Sequence, residues 1–110
     1  MNLDYAHQKF SAAVESMAES PASIQRRIAD AYIDQLHILN PDDLPDEIRT
    51  DWRVTVEELT AVKAAGNEGD VNATVQSMSQ DAAVAIARRI VHMYDVIEAR
   101  YHDQLASGNE

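Results

Sequence analysis

The sequence predicts an all-α fold, a four-helix bundle with a short additional helix, and three observations carry that expectation. Apolar residues recur at i, i+3, i+4 and i+7 along nearly the whole chain, the signature of amphipathic helices. Only three glycines and three prolines occur in 110 residues, too few for a turn-rich β sandwich or barrel. Serines and prolines also stand where helices should begin.

Leu3, Ala6, Phe10, Ala13, Val14 and Met17 place the first helix at about Leu3 to Glu19. Ser20 then offers an N-cap hydroxyl, and Pro21 suits the first helical position. The second helix is predicted to start there, with Ile24, Ile28, Ala31, Tyr32, Gln35, Ile38 and Leu39 inward. Asn40-Pro41 should end it, because a residue before proline is pushed out of the α region. Asp42-Asp43-Leu44 reads as a short acidic connection, and Pro45 opens a third helix with Asp46 and Glu47 in its first turn. Ile48, Trp52, Thr55, Val56, Leu59 and Val62 form the expected inner face. The segment from Gly66 to Asp70 reads as a loop, and Val71 to Gln76 as one or two helical turns. Ser79 should cap the longest helix, whose stripe is Ala83, Ile86, Ala87, Ile90, Met93, Tyr94, Ile97 and Tyr101. One domain over 1–105 and a frayed tail over 106–110 complete the expected layout.

Composition narrows function. No cysteine means no disulfide, no thiolate nucleophile and no Cys-ligated zinc or iron–sulfur centre. The first residues carry an early acid and no apolar core of a signal peptide, and the longest uncharged apolar run is Ala82 to Ala87. A cytoplasmic protein that meets no membrane is therefore expected. Nine Lys and Arg stand against nineteen Asp and Glu, a net charge of −10. That balance predicts no direct nucleic-acid binding, since phosphate recognition needs a basic surface. It favours a basic protein partner, or mimicry of the DNA backbone to inhibit a nucleic-acid-binding enzyme.

The acids are concentrated. Between Pro41 and Asp70 nine acidic residues face three basic ones, a net −6 of the total −10. Acids cap and solubilise helix starts and loops, which is one account of them. The other is a partner-binding face of Asp42, Asp43, Asp46, Glu47 and Asp51 that steers a basic protein by charge. Trp52 aligns with Ile48 and Leu59 and reads as core, with an interface anchor as the alternative. Tyr5, Ile33, Val54 and Val96 point off the apolar stripes and could form a homodimer seam.

An internal echo is visible. Ile24-Gln25-Arg26-Arg27-Ile28 with Tyr32 matches Ile86-Ala87-Arg88-Arg89-Ile90 with Tyr94. Two amphipathic helices solving one packing problem would produce it. A paired surface of Arg26, Arg27, Arg88 and Arg89 for an anion or acidic partner is the functional alternative.

Catalytic constellations are incomplete. Asp4 and His7, Asp34 and His37, and His92 and Asp95 pair at one-turn spacing, with Glu98 and His102 further along the last helix. Helical phase points most of these residues to solvent, so surface pairs are expected. A metal-dependent hydrolase built on His92, Asp95, Glu98 and His102 is the enzyme alternative. His102-Asp103 is an isolated His-Asp dyad near the end of the chain. The chain invites comparison with the helical HEPN ribonucleases. Those use a longer Arg–His spacing than the three residues between Arg88 and His92, so their activity does not transfer. Glu57-Glu58 are adjacent rather than one turn apart, unlike the acidic motif of all-α nucleotide pyrophosphatases. No nucleophile elbow or phosphate loop occurs, and no cofactor is implied.

Leu44-Pro45-Asp46-Glu47-Ile48-Arg49 with Trp52, Leu59-Thr60, and Met78-Ser79 with Asp81 and Ala83 leading to Ile90 and Tyr94 resemble small bacterial all-helical proteins of no known activity. The resemblance spans roughly residues 20 to 100. It implies a helical scaffold and a bacterial setting, and brings no catalytic residues. The expectation is a non-enzymatic regulator, adaptor or inhibitor, of phage or defence type, acting on a basic partner.

Overall fold

In the computed structural model, which describes residues 2–66 and 69–108, the chain is all-α. Helix α1 spans Asp4–Glu19 and α2 spans Ile24–Ala31, continued by a π-helical turn over Tyr32–Leu36. Two 3₁₀ turns, Pro41–Asp43 and Asp46–Ile48, lead into α3, Arg49–Leu59. Helix α4 is Asp70–Gln76 and α5 is Gln80–Gly108. No strand occurs among the described residues.

Helix α1 ends where expected, because Pro21 forces Ser20 into an extended conformation at ψ 135°. The start of α2 differs from the sequence expectation. Ser20 does not cap it; its Oγ accepts from the Ala22 N–H instead. Ser23 is the N-cap, accepting from the Arg26 N–H at 3.2 Å. Arg27 reaches back to the carbonyls of Ala22 and Met17 at 3.0 and 3.2 Å, which holds residues 20–23 as a turn.

The π turn changes which residues face inward. His37 N–H bonds to the Tyr32 carbonyl five residues back, so the turn holds one residue more than an α turn. The predicted stripe therefore slips. Leu36 is fully buried, Gln35 is only half-buried, and Ile38 is 50% exposed, while Leu39 stays inside.

The third helix is also shorter than predicted. Pro45 is followed by a 3₁₀ turn, and α3 proper begins at Arg49. It stops at Leu59, and Val62 is 40% exposed rather than inside. Polar contacts from α4 draw the chain away. Val62 N–H donates to the Thr74 hydroxyl and Ala64 N–H to the Asp70 carboxylate, both at 2.9 Å. Gly69 enters α4 at φ +82°, a conformation that favours glycine. Asn67 and Glu68 of the expected loop lie outside the described residues.

Helix α5 is the spine. Ala83, Ile86, Ile90, Met93 and Ile97, spaced by three and four residues, are all buried. Ser79 caps its start, accepting from Ala82 N–H. The helix continues through Ala106 and Ser107 to Gly108, past the expected boundary at 105; Asn109 and Glu110 lie outside the described residues. Leu3 N–H meets Gln104 Oε1 and His7 meets Glu98, so α1 runs antiparallel to the second half of α5. Glu47 meets Arg100 and Glu58 meets Arg89, so α3 runs antiparallel to it as well. Gln25 of α2 donates to the Met78 carbonyl near the start of α5. All five helices contribute to one apolar cluster around Phe10, Ile28, Leu36, Trp52, Ile90 and Met93. Burying each such side chain contributes about 1.5–3 kcal/mol. Thr55 and Thr74, the buried polar residues of that interior, satisfy their hydroxyls on the carbonyls one turn back. No helix among the described residues is long and apolar enough to cross a membrane.

Candidate functional site

The surface built by the two 3₁₀ turns and α3 is the candidate site. Trp52 and Val56 lie one turn apart on α3, as do Arg49 and Arg53, and Arg53 and Glu57. These residues, with Thr50 and Pro41 of the preceding turn, line an open groove of about 490 Å³. The indole of Trp52 is 4% exposed, so it is core and groove floor together. Phe10 and Tyr32 back it, with ring centroids 6.0 and 6.4 Å away.

The groove walls are held before any ligand arrives. Arg49 Nε donates to the carbonyls of Pro41 and Leu44 at 2.9 and 3.2 Å, and its Nη1 pairs with Asp46 at 2.6 Å. Arg53 pairs with Glu57 at 3.0 Å. Both guanidinium groups are thus neutralised by carboxylates on the same surface, and their aliphatic stems are left as wall.

The five acids proposed from sequence separate into two groups. Asp42, Asp43 and Asp46 gather around the 3₁₀ turns at the Pro41 end of the groove. Asp42 is exposed and makes no ion pair among the described residues, and the Asp46 side chain is 88% exposed. Asp43 is tied down by the Asn40 N–H at 2.8 Å. Glu47 and Asp51 lie toward α5 instead. Both oxygens of Glu47 accept from Arg100 at 2.8 Å, and that guanidinium holds the Glu47 carboxyl below the usual range. Asp51 and Glu58 are seven residues apart and so share one side of α3, and Glu58 pairs with Arg89.

The four arginines of the repeated pattern go to different partners. Arg26 bonds Asp30 and Asn72, Arg27 bonds backbone carbonyls, and Arg89 bonds Glu58 and lies 3.4 Å from the Thr55 hydroxyl. Arg88 is exposed. Of the expected seam residues, Tyr5 and Ile33 are exposed, while Val54 and Val96 are half-buried and Val96 packs on the core.

His7 joins Glu98 and His102 in a cluster that spacing along one helix did not reveal in full. His7 Nε2 donates to one Glu98 oxygen at 2.5 Å and His102 Nε2 to the other at 2.8 Å. Tyr101 stacks on the His7 ring at 4.0 Å. The bond from His7, followed by that from Tyr94, holds the Glu98 carboxyl below its ordinary value. A signal for His7 was present, since it lies in phase with buried Leu3 and Phe10. Its partner, 91 residues away, left none in the local pattern. Glu98 and His102 of the metal alternative thus come together, while His92 and Asp95 are exposed side chains elsewhere on α5. Among the described residues no group of three or more His, Asp or Glu is arranged to hold a metal ion.

Comparison of the chain with protein-family models, with curated proteins and with solved structures finds no match.

Proposed function

We propose that the protein is a non-enzymatic interaction module, a regulator, adaptor or inhibitor, that takes a basic region of a partner protein on the surface of Pro41–Asp46 and α3. The scaffold is read as a four-helix bundle with α4 as the short additional helix, working in a bacterial cytoplasm. The observation that carries the reading is the pair Asp42 and Asp43, which no cationic side chain among the described residues neutralises, beside an open apolar groove in the most acidic part of the chain. Charge there steers a basic partner to the surface, and apolar contact can then hold it. Glu47, Glu57 and Glu58 are consumed by Arg100, Arg53 and Arg89. That pairing favours a compact docking patch over the long row of free carboxylates that mimicry of DNA needs.

The test is affinity capture from host lysate at low and high salt, using the native chain and the Asp42→Lys variant. Asp43, Asp46 and Glu47 are left intact because each holds a bond inside the fold. A basic protein held at low salt, shed at high salt and lost with Asp42→Lys is the expected result. Equal capture by both chains would remove this surface from consideration.

A further inference from the structure

We infer that the groove on α3 is an anchor pocket for one large apolar side chain of a basic peptide segment, whose neighbouring lysine or arginine meets Asp42 and Asp43. This rests on the acidic surface just proposed and adds what the groove selects. The floor is Trp52 and the wall is Val56, with the Pro41 ring at one end. Trp52 cannot move aside, since it is packed against Phe10 and Tyr32 and is almost fully buried. Arg49 is held by three bonds, so the wall beside it is fixed in advance and a ligand pays little ordering cost.

Charge decides the occupant. The two arginines of the groove are already matched by Asp46 and Glu57, while Asp42 and Asp43 carry charge that no cationic side chain among the described residues neutralises. The Pro41 end is therefore negative, and the flank of an incoming anchor must be positive. A second copy of this chain does not meet that demand. It carries −10 overall, and the same acidic turns would approach each other. A peptide with an aromatic or aliphatic anchor between basic residues does meet it.

The probe is a capped peptide, Lys-Lys-Phe-Lys-Lys, with a fluorescent label for anisotropy. Trp52 is the only tryptophan in the chain, so its emission reports occupancy of the groove itself. Binding with a change in Trp52 emission is expected. Replacing the peptide's Phe with Ser should weaken it about tenfold or more. Thr50→Tyr, at an exposed position lining the groove, should do the same by filling the space. Asp42→Asn should weaken binding about threefold and flatten its salt dependence. Binding that needs the lysines and Asp42 but ignores both Phe→Ser in the peptide and Thr50→Tyr would overturn the anchor pocket while leaving the acidic surface standing. No binding of the Phe peptide would overturn the pocket, and the lysate capture would then decide the surface separately. The peptide substitution decides the matter even if Thr50→Tyr does not fold.

Discussion

The two copies of the pattern I-x-R-R-I-x-x-x-Y, one in α2 and one in α5, show what a short sequence determines and what it leaves to its surroundings. Ile28 and Ile90 occupy the same place in the pattern, and both are fully buried. The arginines then diverge. Arg27 closes the α1–α2 connection through the Met17 and Ala22 carbonyls, whereas Arg89 ties α5 to Glu58 of α3. The tyrosines diverge further. Tyr32 opens a π turn, and burial raises its hydroxyl pKa. Tyr94 sits in uninterrupted helix and stacks on His7, with ring centroids 6.2 Å apart. Apolar burial is thus a property of the local pattern, and the polar partners belong to whichever neighbour the fold supplies.

The strongest way to break this comparison is in the core. Ile28→Ala and Ile90→Ala should each cost about 2–5 kcal/mol in urea unfolding, because both leave a cavity under a fully buried side chain. A small loss at one site alone would show that the two copies are not equivalent inside.

The arginines should separate by partner rather than by position in the pattern. Arg89→Ala should cost about 1 kcal/mol, since its side chain is mostly buried and bonds Glu58 at 2.5 Å. Arg88→Ala should change stability by no more than about 0.5 kcal/mol at its exposed position. Arg27→Ala should cost about 1 kcal/mol by freeing two carbonyls at the turn, and Arg26→Ala about 0.3–0.5 kcal/mol for a half-exposed i, i+4 pair. Equal losses for Arg88 and Arg89 would contradict the assignment of partners.

The sequence made the core positions legible wherever the helical period held. Phe10, Ile28, Trp52, Ile86, Ile90 and Ile97 all lie inside as their spacing predicts. It failed where one polar group outcompeted the pattern. Ser23 rather than Ser20 caps α2, because both hydroxyls are capable and the grip of Arg27 decides between them. The π turn replaces Gln35 and Ile38 with Leu36, and no single residue type announces an inserted residue in a helix. Thr74 and Asp70 draw residues 62 and 64 out of α3, a contact invisible in the local spacing. The candidate surface was legible in part. Its acids could be named from sequence, but their division between the groove side and the α5 side follows from where Arg100 and Arg89 lie.

The smallest effect concerns pH. Glu98 titrates below the ordinary glutamate value of 4.5 when folded. Near that value the unfolded chain therefore binds more protons, so stability is complete above it and falls as the pH drops through the folded value. Urea midpoints measured between about pH 5 and 3 should decline, and Glu98→Gln should flatten part of that decline. An unchanged slope would show that the bonds from His7 and Tyr94 do not favour the charged form. Glu47 shifts in the same direction through Arg100, so Glu47→Gln should flatten a further part.

Leu3 and Gln104 are joined by a hydrogen bond, Asp4 and Gln104 by another, and His7 and Glu98 by the next along the same pair of helices. Tension applied between residues 3 and 104 would load these contacts one after another, as a zipper is opened, and not all together as in shear. The α1–α5 seam should then peel at low force, beginning at Gln104 and uncovering Leu3 and Ala6 before it reaches the His7–Glu98 bond.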